Sequence, residues 1–182
     1  MVDVQVDFLP GGSLGVPRGD AILAPLNAFI ERFAALGLPV LASRDWHPAD
    51  HVSFQRRGGS WPPHCVADTA GAAFAAALRL PAAAGMISKG TERDRDAYSA
   101  FDRTDLHPRL QAAGVRRLFI AGLATDYCVQ ASVVDACALG YAVVVLRDAI
   151  AAVEVQPGDG ARALERMRAA GATICDSAAL RA

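Results

Sequence analysis

The chain has 182 residues, a formal net charge of −1 and 53% hydrophobic residues. A near-neutral charge leaves no basic field for nucleic acid or anionic lipid; no apolar run approaches the ~20 residues of a membrane span, and the first residues lack the basic stretch and apolar core of a signal peptide. The length, and four scattered cysteines (Cys65, Cys128, Cys137, Cys175) with no CxxC pair, predict one domain over residues 1–182, cytoplasmic, with its cysteines as thiols.

In chain order, Asp3 closes the first apolar residues. The stretch DAILAPLNAFIERFAALG predicts a helix, with Ile22, Leu23, Leu26, Phe29, Ile30 and Phe33 in one stripe. Asp20 is placed to cap its start and Gly37 to end it in the left-handed conformation. LPVLAS (38–43) predicts a buried strand. Residues 44–81 predict a long irregular segment, with FAAALRL as a short helical turn; loops of that length are commonly functional. GMISK (85–89) predicts a strand, DLHPRLQAAG a helix with Pro108 near its start, and RRLFIAG a strand. DYCVQASVVDACALG predicts a helix with Val129, Ser132, Val133, Ala136 and Leu139 near one face. YAVVVLRDA predicts a strand covered on both sides, GARALERMRAAG a helix and ATICD a last strand. Alternating strands and helices with short connections predict a parallel sheet flanked by helices. Ligands then bind beyond the carboxyl ends of the strands, where Asp3, Asp45, Lys89 and Cys128 all fall.

Cys128 follows the tight connection GLATD just inside a predicted helix. Helix N-terminal amides there would lower its pKa and hold an oxyanion. Taken singly, Cys128 could equally be a small packing residue, Asp3 a strand-end cap and Lys89 a solvated charge. Together they make a nucleophile, a carboxylate to take and return its proton, and an ammonium that keeps both charged. Cys137 and Cys175 read as packing residues. DWHPADH sets Asp45 and His47 two apart on an extended segment, His51 follows, and His64 arrives from WPPHC. One carboxylate with two or three imidazoles suits a divalent transition metal with open coordination positions, although loop histidines are also found simply solvated. His107 reads as a surface residue on its helix. Phe8, Trp61 and Tyr98 flank these groups and could wall a pocket for a flat ring.

VDVQVDF followed by GGSL, then SRDWHPADHVSF, WPPHCV, SKGTERDRDAYSAF and GLATDYCVQASVVDA, in that order across nearly the whole chain, resemble the nicotinamidase/pyrazinamidase branch of the isochorismatase-like cysteine hydrolases. The resemblance implies a three-layer α/β/α fold with a central, mainly parallel sheet. It implies hydrolysis of nicotinamide, with pyrazinamide as a side substrate, to the acid and ammonia through a thioester in NAD salvage. By position it implies catalytic Asp3, Lys89 and Cys128, an oxyanion hole from the Ala124 and Cys128 amides, and a cis peptide at Leu123–Ala124. It implies one zinc, iron or manganese ion on Asp45, His47 and His64, with His51 a ligand in some members, and Phe8, Trp61 and Tyr98 around the pyridine ring. The ion would hold the ring nitrogen. The prolines of WPPHC would fix the loop that carries His64 and Trp61. The family's first strand has a longer apolar run than the Met1 and Val2 that precede Asp3 here. Tyr127 and the Arg-rich TERDRDAY stretch assign no substrate.

Three readings compete. One is another amide or carbamoyl hydrolase of the same superfamily, many of which lack the metal loop. The second is a non-haem iron oxygenase, whose scaffold is normally antiparallel β. The third is a metal-binding module without catalysis, which leaves Cys128 unexplained. The expected partner is a small-molecule amide, with no nucleic acid and no membrane; an alanine-rich surface is compatible with a homo-oligomer.

Overall fold

The computed structural model describes residues 1–180. Five strands, β1 (Leu41–Asp45), β2 (Gly85–Lys89), β3 (Arg117–Leu123), β4 (Ala142–Ala151) and β5 (Thr173–Cys175), alternate with α1 (Leu23–Ala35), α2 (Leu106–Ala112), α3 (Gln130–Ala138) and α4 (Asp159–Ala169). β1 pairs with β2, and β4 lies between β3 and β5, every pair being parallel. Met1–Asp3 joins the two groups. Val2 donates to the Ala121 carbonyl and accepts from the Leu123 amide, both at 2.8 Å, while Ser43 donates to Met1 (3.0 Å) and accepts from Asp3 (3.1 Å). One parallel layer results, ordered β2, β1, Met1–Asp3, β3, β4, β5. Gly122 permits the approach: it sits at φ +122°, and a Cβ there would overlap the Val2 backbone.

The layer has a core on each face. Leu106 and Leu110 of α2, Val133 and Ala136 of α3 and Ala163 and Met167 of α4 pack with Ile120, Val143 and Val145. On the other face Leu26, Phe29 and Ile30 of α1, with Ala72, Ala75 and Leu78 from the long loop, pack with Ala121, Leu123 and Leu146. Neighbours on β3 and β4 thus alternate between cores, as a pleated strand sandwiched between helices must. The chain is a three-layer α/β/α protein with a parallel sheet, and among the described residues no helix is long and apolar enough to cross a membrane.

Several local expectations shift. The strand predicted at 38–43 forms at Leu41–Asp45. FAAALRL forms no helix: Val6 donates to Ala73, Ala75 donates to Val4, and Phe74 bridges Gln5, so tertiary pairing overrides alanine's preference. The stretch keeps a single turn at Ala76–Ala77, closed by the Leu78 amide on the Ala75 carbonyl at 2.9 Å, and a short 3-10 segment, Ala70–Ala72, precedes it. Asp20 makes no capping bond and instead lies in the 3-10 turn Gly19–Ile22 that leads into α1. Gly37 does adopt the left-handed conformation after α1, at φ +67°. Leu139 is exposed rather than on the buried face of α3, and His107 is half-buried, bonded through Nδ1 to the Tyr141 hydroxyl at 2.8 Å. At the amino end of the sheet, between Leu41 of β1 and Phe119 of β3, an apolar cavity of about 470 Å³ opens beside Met1 and Val2.

Candidate active site

The parallel register sets Asp45 directly beside Lys89 at the carboxyl ends of β1 and β2. Asp3 leaves the sheet on the neighbouring line with φ +48°. That conformation costs a non-glycine residue roughly 1–2 kcal/mol and is tolerated best by Asp and Asn. Lys89 Nζ lies 2.5 Å from Asp45 Oδ1, 2.9 Å from Asp3 Oδ2 and 3.3 Å from Cys128 Sγ. The two carboxylates and the sulfur come within 4.8 Å of one another. Ser43 Oγ donates to Asp3 Oδ1 at 2.6 Å, while Oδ2 touches the ammonium outside hydrogen-bond alignment and has no hydrogen-bond partner among the described residues. A buried carboxylate oxygen near a thiol, held by one ion pair and with lone-pair capacity to spare, is suited to receive a proton.

Burial raises the Asp3 pKa; Lys89 opposes this and the Asp45 charge adds to it. Burial opposes charge on Lys89 as well, but Asp3 and Asp45 outweigh it and hold the ammonium well above its usual range. For Asp45 burial is overcome by Lys89 and His47, and its pKa falls. Cys128 lies just inside the start of a helix, as the sequence predicts: the π-helical turn Thr125–Val129 runs directly into α3. Its titration differs from the expected lowering. Burial pushes its thiol up, Lys89 pulls down, and Asp3 and Asp45 push up again, so the net direction is upward. That direction favours the thiol over the thiolate, so the attack calls for a base. The Leu123–Ala124 peptide is cis, and Ala124 and Cys128 both line the cleft.

The second cluster is held by its loops. His47 pairs with Val66, and Trp61 with Phe54, so residues 61–66 are stitched at both ends to the segment DWHPADHVSF. His47 Nδ1 is 2.9 Å from the Gly90 carbonyl and His64 Nδ1 is 2.8 Å from that of Pro62. A carbonyl only accepts, so each Nδ1 carries the hydrogen and each Nε2 keeps its lone pair. Gly90, at φ +61°, is required here, because a Cβ would stand 2.5 Å from the His47 ring. Asp45, His47 and His64 are all buried and bring one ligand atom each within 4.8 Å of the others. Burial disfavours charge on His47, but the hydrogen bond and charge of Asp45 outweigh it and raise its pKa; a metal cation can take the place of that proton. An ionised carboxylate and two imidazoles with free Nε2 atoms fit a three-ligand catalytic metal site.

His51 differs from the expected ligand set. Its Nε2 meets the Arg95 carbonyl at 2.8 Å and its Nδ1 the Ser53 hydroxyl at 2.7 Å, so both nitrogens are taken. It stacks on His47 instead, ring centroids 4.1 Å apart. The cleft above the two clusters is lined by Phe8, Trp61, Tyr98 and Val153 as well as Asp45, His47, His64 and Cys128. Trp61 Nε1 donates to the Tyr98 hydroxyl at 3.1 Å. Asp3 and Lys89 lie behind Cys128, fully shielded from solvent.

Several residues that sequence reasoning passed over also act here. Tyr127, noted only for its place beside Cys128, lines the cleft edge-on to Trp61 at 5.1 Å between centroids. Gln5 is fully buried; its amide donates to the Asp45 and Ala72 carbonyls and accepts from the Asp45 amide, fixing the end of β1. Asp7 accepts from the Cys65 amide at 2.7 Å and so anchors the loop of His64. The signal for Gln5 and Asp7 was a polar side chain every second residue in the apolar stretch Val2–Phe8.

The isochorismatase domain matches residues 1–179. The chain belongs to the isochorismatase family. Within that family it is 40% identical to the nicotinamidase of Escherichia coli, over 96% of this chain and 92% of the relative. Its fold superposes with a TM-score of 0.93 on the pyrazinamidase of Pyrococcus horikoshii in complex with zinc, at 48% identity over 97% of this chain and 96% of the other. It superposes with a TM-score of 0.86 on PnC1 from L. infantum in complex with nicotinate, at 38% identity over 100% and 92%. All-parallel pairing also removes the antiparallel scaffold that a non-haem oxygenase reading needs.

Proposed function

We propose that this isochorismatase-family protein is a nicotinamidase, hydrolysing nicotinamide, and pyrazinamide as a side substrate, to the acid and ammonia through a thioester on Cys128. The observation that carries this is the meeting of Asp3, Lys89 and Cys128 under an aromatic-walled cleft, beside the Asp45–His47–His64 trio.

Asp3 Oδ2 takes the Cys128 proton as the sulfur attacks the carboxamide carbon. Lys89, held as an ammonium, balances the negative charge that the thiol proton leaves behind. The Ala124 and Cys128 amides, from two residues that line the cleft, would receive the tetrahedral oxyanion, a contribution worth about 3 kcal/mol per donor. Asp3 returns the proton to the amide nitrogen, the C–N bond breaks and ammonia leaves. Asp3 next removes a proton from water, the hydroxide adds to the thioester carbon, and the C–S bond breaks. Cys128 regains its proton as the acid departs. Phe8, Trp61 and Tyr98 orient the ring so that these steps start from one geometry. A divalent ion on Asp45, His47 and His64 would supply an electrophilic anchor for the ring nitrogen. His51, with both nitrogens engaged, is assigned to support of His47 rather than to ligation.

The test is ammonia release from nicotinamide, pyrazinamide and unrelated aliphatic or carbamoyl amides, with mass spectrometry of quenched enzyme for an acyl adduct on Cys128. Turnover confined to the pyridine and pyrazine amides supports the reading. Preference for a carbamoyl substrate, or turnover without the adduct at rates that demand one, refutes it.

A further inference from the structure

A strap, residues 152–158 between β4 and α4, borders the cleft through Val153, which lies in its wall. It is tied to the nucleophile's own turn by one side chain. Asp126, two residues before Cys128, accepts the Val153 amide on Oδ1 and the Glu154 amide on Oδ2, both at 2.9 Å. Glu154 sits in the left-handed conformation at φ +56°. Such a residue persists where its surroundings over-determine it, and ligand clamps are common among those places. Glu154 in turn accepts the Gly158 amide at 2.6 Å and the Gly160 amide at 2.9 Å, so the strap is closed at its far end too. The catalytic steps above use none of these bonds.

We infer that Asp126 is a positioning residue for substrate specificity: its two-amide clamp fixes Val153 against the cleft and so sets how wide a ring the site admits. The inference rests on the pyridine-amide reading proposed above. The carboxylate is the suitable group because two amides approach it and each needs an acceptor. Asp126→Asn keeps the shape but turns an N–H donor toward one of them, which releases one end of the clamp. Val153→Ala removes the wall without touching the clamp.

The experiment is steady-state kinetics of the wild type, Asp126→Asn, Val153→Ala and the double variant on nicotinamide and on a fused-ring amide, quinoline-3-carboxamide. Each single variant is expected to raise KM for nicotinamide about tenfold, the loss of one hydrogen bond or side-chain contact, with kcat falling far less. Both should improve the fused-ring amide relative to nicotinamide. The double variant should add little, because the two residues act through one contact. Multiplicative KM effects, or a fall in kcat with KM and ring preference unchanged, would overturn the inference. Hydrogen exchange at the Val153 and Glu154 amides provides a readout separate from turnover: it must accelerate in Asp126→Asn, and unchanged exchange would also overturn the clamp. A wild type that turns over no pyridine amide would remove the functional reading, while exchange would still decide the clamp.

Discussion

The two ends of the parallel sheet are built on opposite terms. At the carboxyl end Asp3, Asp45, Lys89, His47, His51 and His64 are buried almost completely and bonded to one another or to main-chain groups. At the amino end, between Leu41 and Phe119, the sheet borders an apolar cavity of about 470 Å³. Buried charge is tolerated only where partners are fixed, so the functional end is over-determined by geometry. The amino end has no such demand and carries looser packing, which weakens stability without disturbing the chemistry. The difference teaches that order in this fold is concentrated where charges must be held, not spread evenly over the core.

The largest effect that would break this division is at the nucleophile. Cys128→Ala should lower kcat by at least about 10⁴-fold, with metal content and thermal midpoint retained; comparable turnover would dissolve the covalent proposal. Next comes the metal corner. His47→Ala, or dialysis against a chelator, should reduce activity about 100-fold or more and abolish tight zinc binding, read by chelator competition. His51→Ala should weaken zinc affinity by only about 10–100-fold, as a group acting through a ligand does. Equal losses in the two variants would put His51 among the ligands.

The acid limb of kcat/KM sharpens the charge balance. Asp3 must be ionised to accept the Cys128 proton, and burial, resisted by Lys89 and reinforced by Asp45, raises its pKa. Activity should therefore fall about tenfold per pH unit below a pKa higher than the ordinary ~4 of a carboxylate. The Asp3→Asn variant should lose that limb along with most of its turnover. A wild-type limb at or below the ordinary value would remove Asp3 as the base. The smallest effect on catalysis belongs to the amino end: Leu110→Ala, beside the cavity, should cost about 2 kcal/mol of stability in urea unfolding and leave kcat/KM unchanged.

Much of this was legible in the residues. The strand–helix alternation predicted the parallel sheet and its covered faces, because the periods of apolar residues are set by which surfaces must leave water. The placement of Asp3, Asp45, Lys89 and Cys128 at strand ends followed from topology alone. FAAALRL keeps only one hydrogen-bonded turn because pairing of Phe74 and Ala75 with Gln5 and Val4 outbids a local helical preference. The sequence offered His51 as a further imidazole, and its hydrogen bonds to Ser53 and Arg95 are visible only in three dimensions. For Cys128, position in the chain reports a nearby helix start, whereas the burial and two carboxylates that push its thiol up report only in three dimensions.

The sequence by itself determined the layer order of this fold, the nucleophile's turn and the kinds of side chain available for chemistry, since these depend on local periodicity and residue type. Only the tertiary structure decided which nitrogen of His47 and of His64 is free, that Asp3 meets Lys89 and Cys128, and that Asp126 ties the strap to the turn of Cys128. Those are distances and directions between residues far apart in the chain, and no local pattern carries them.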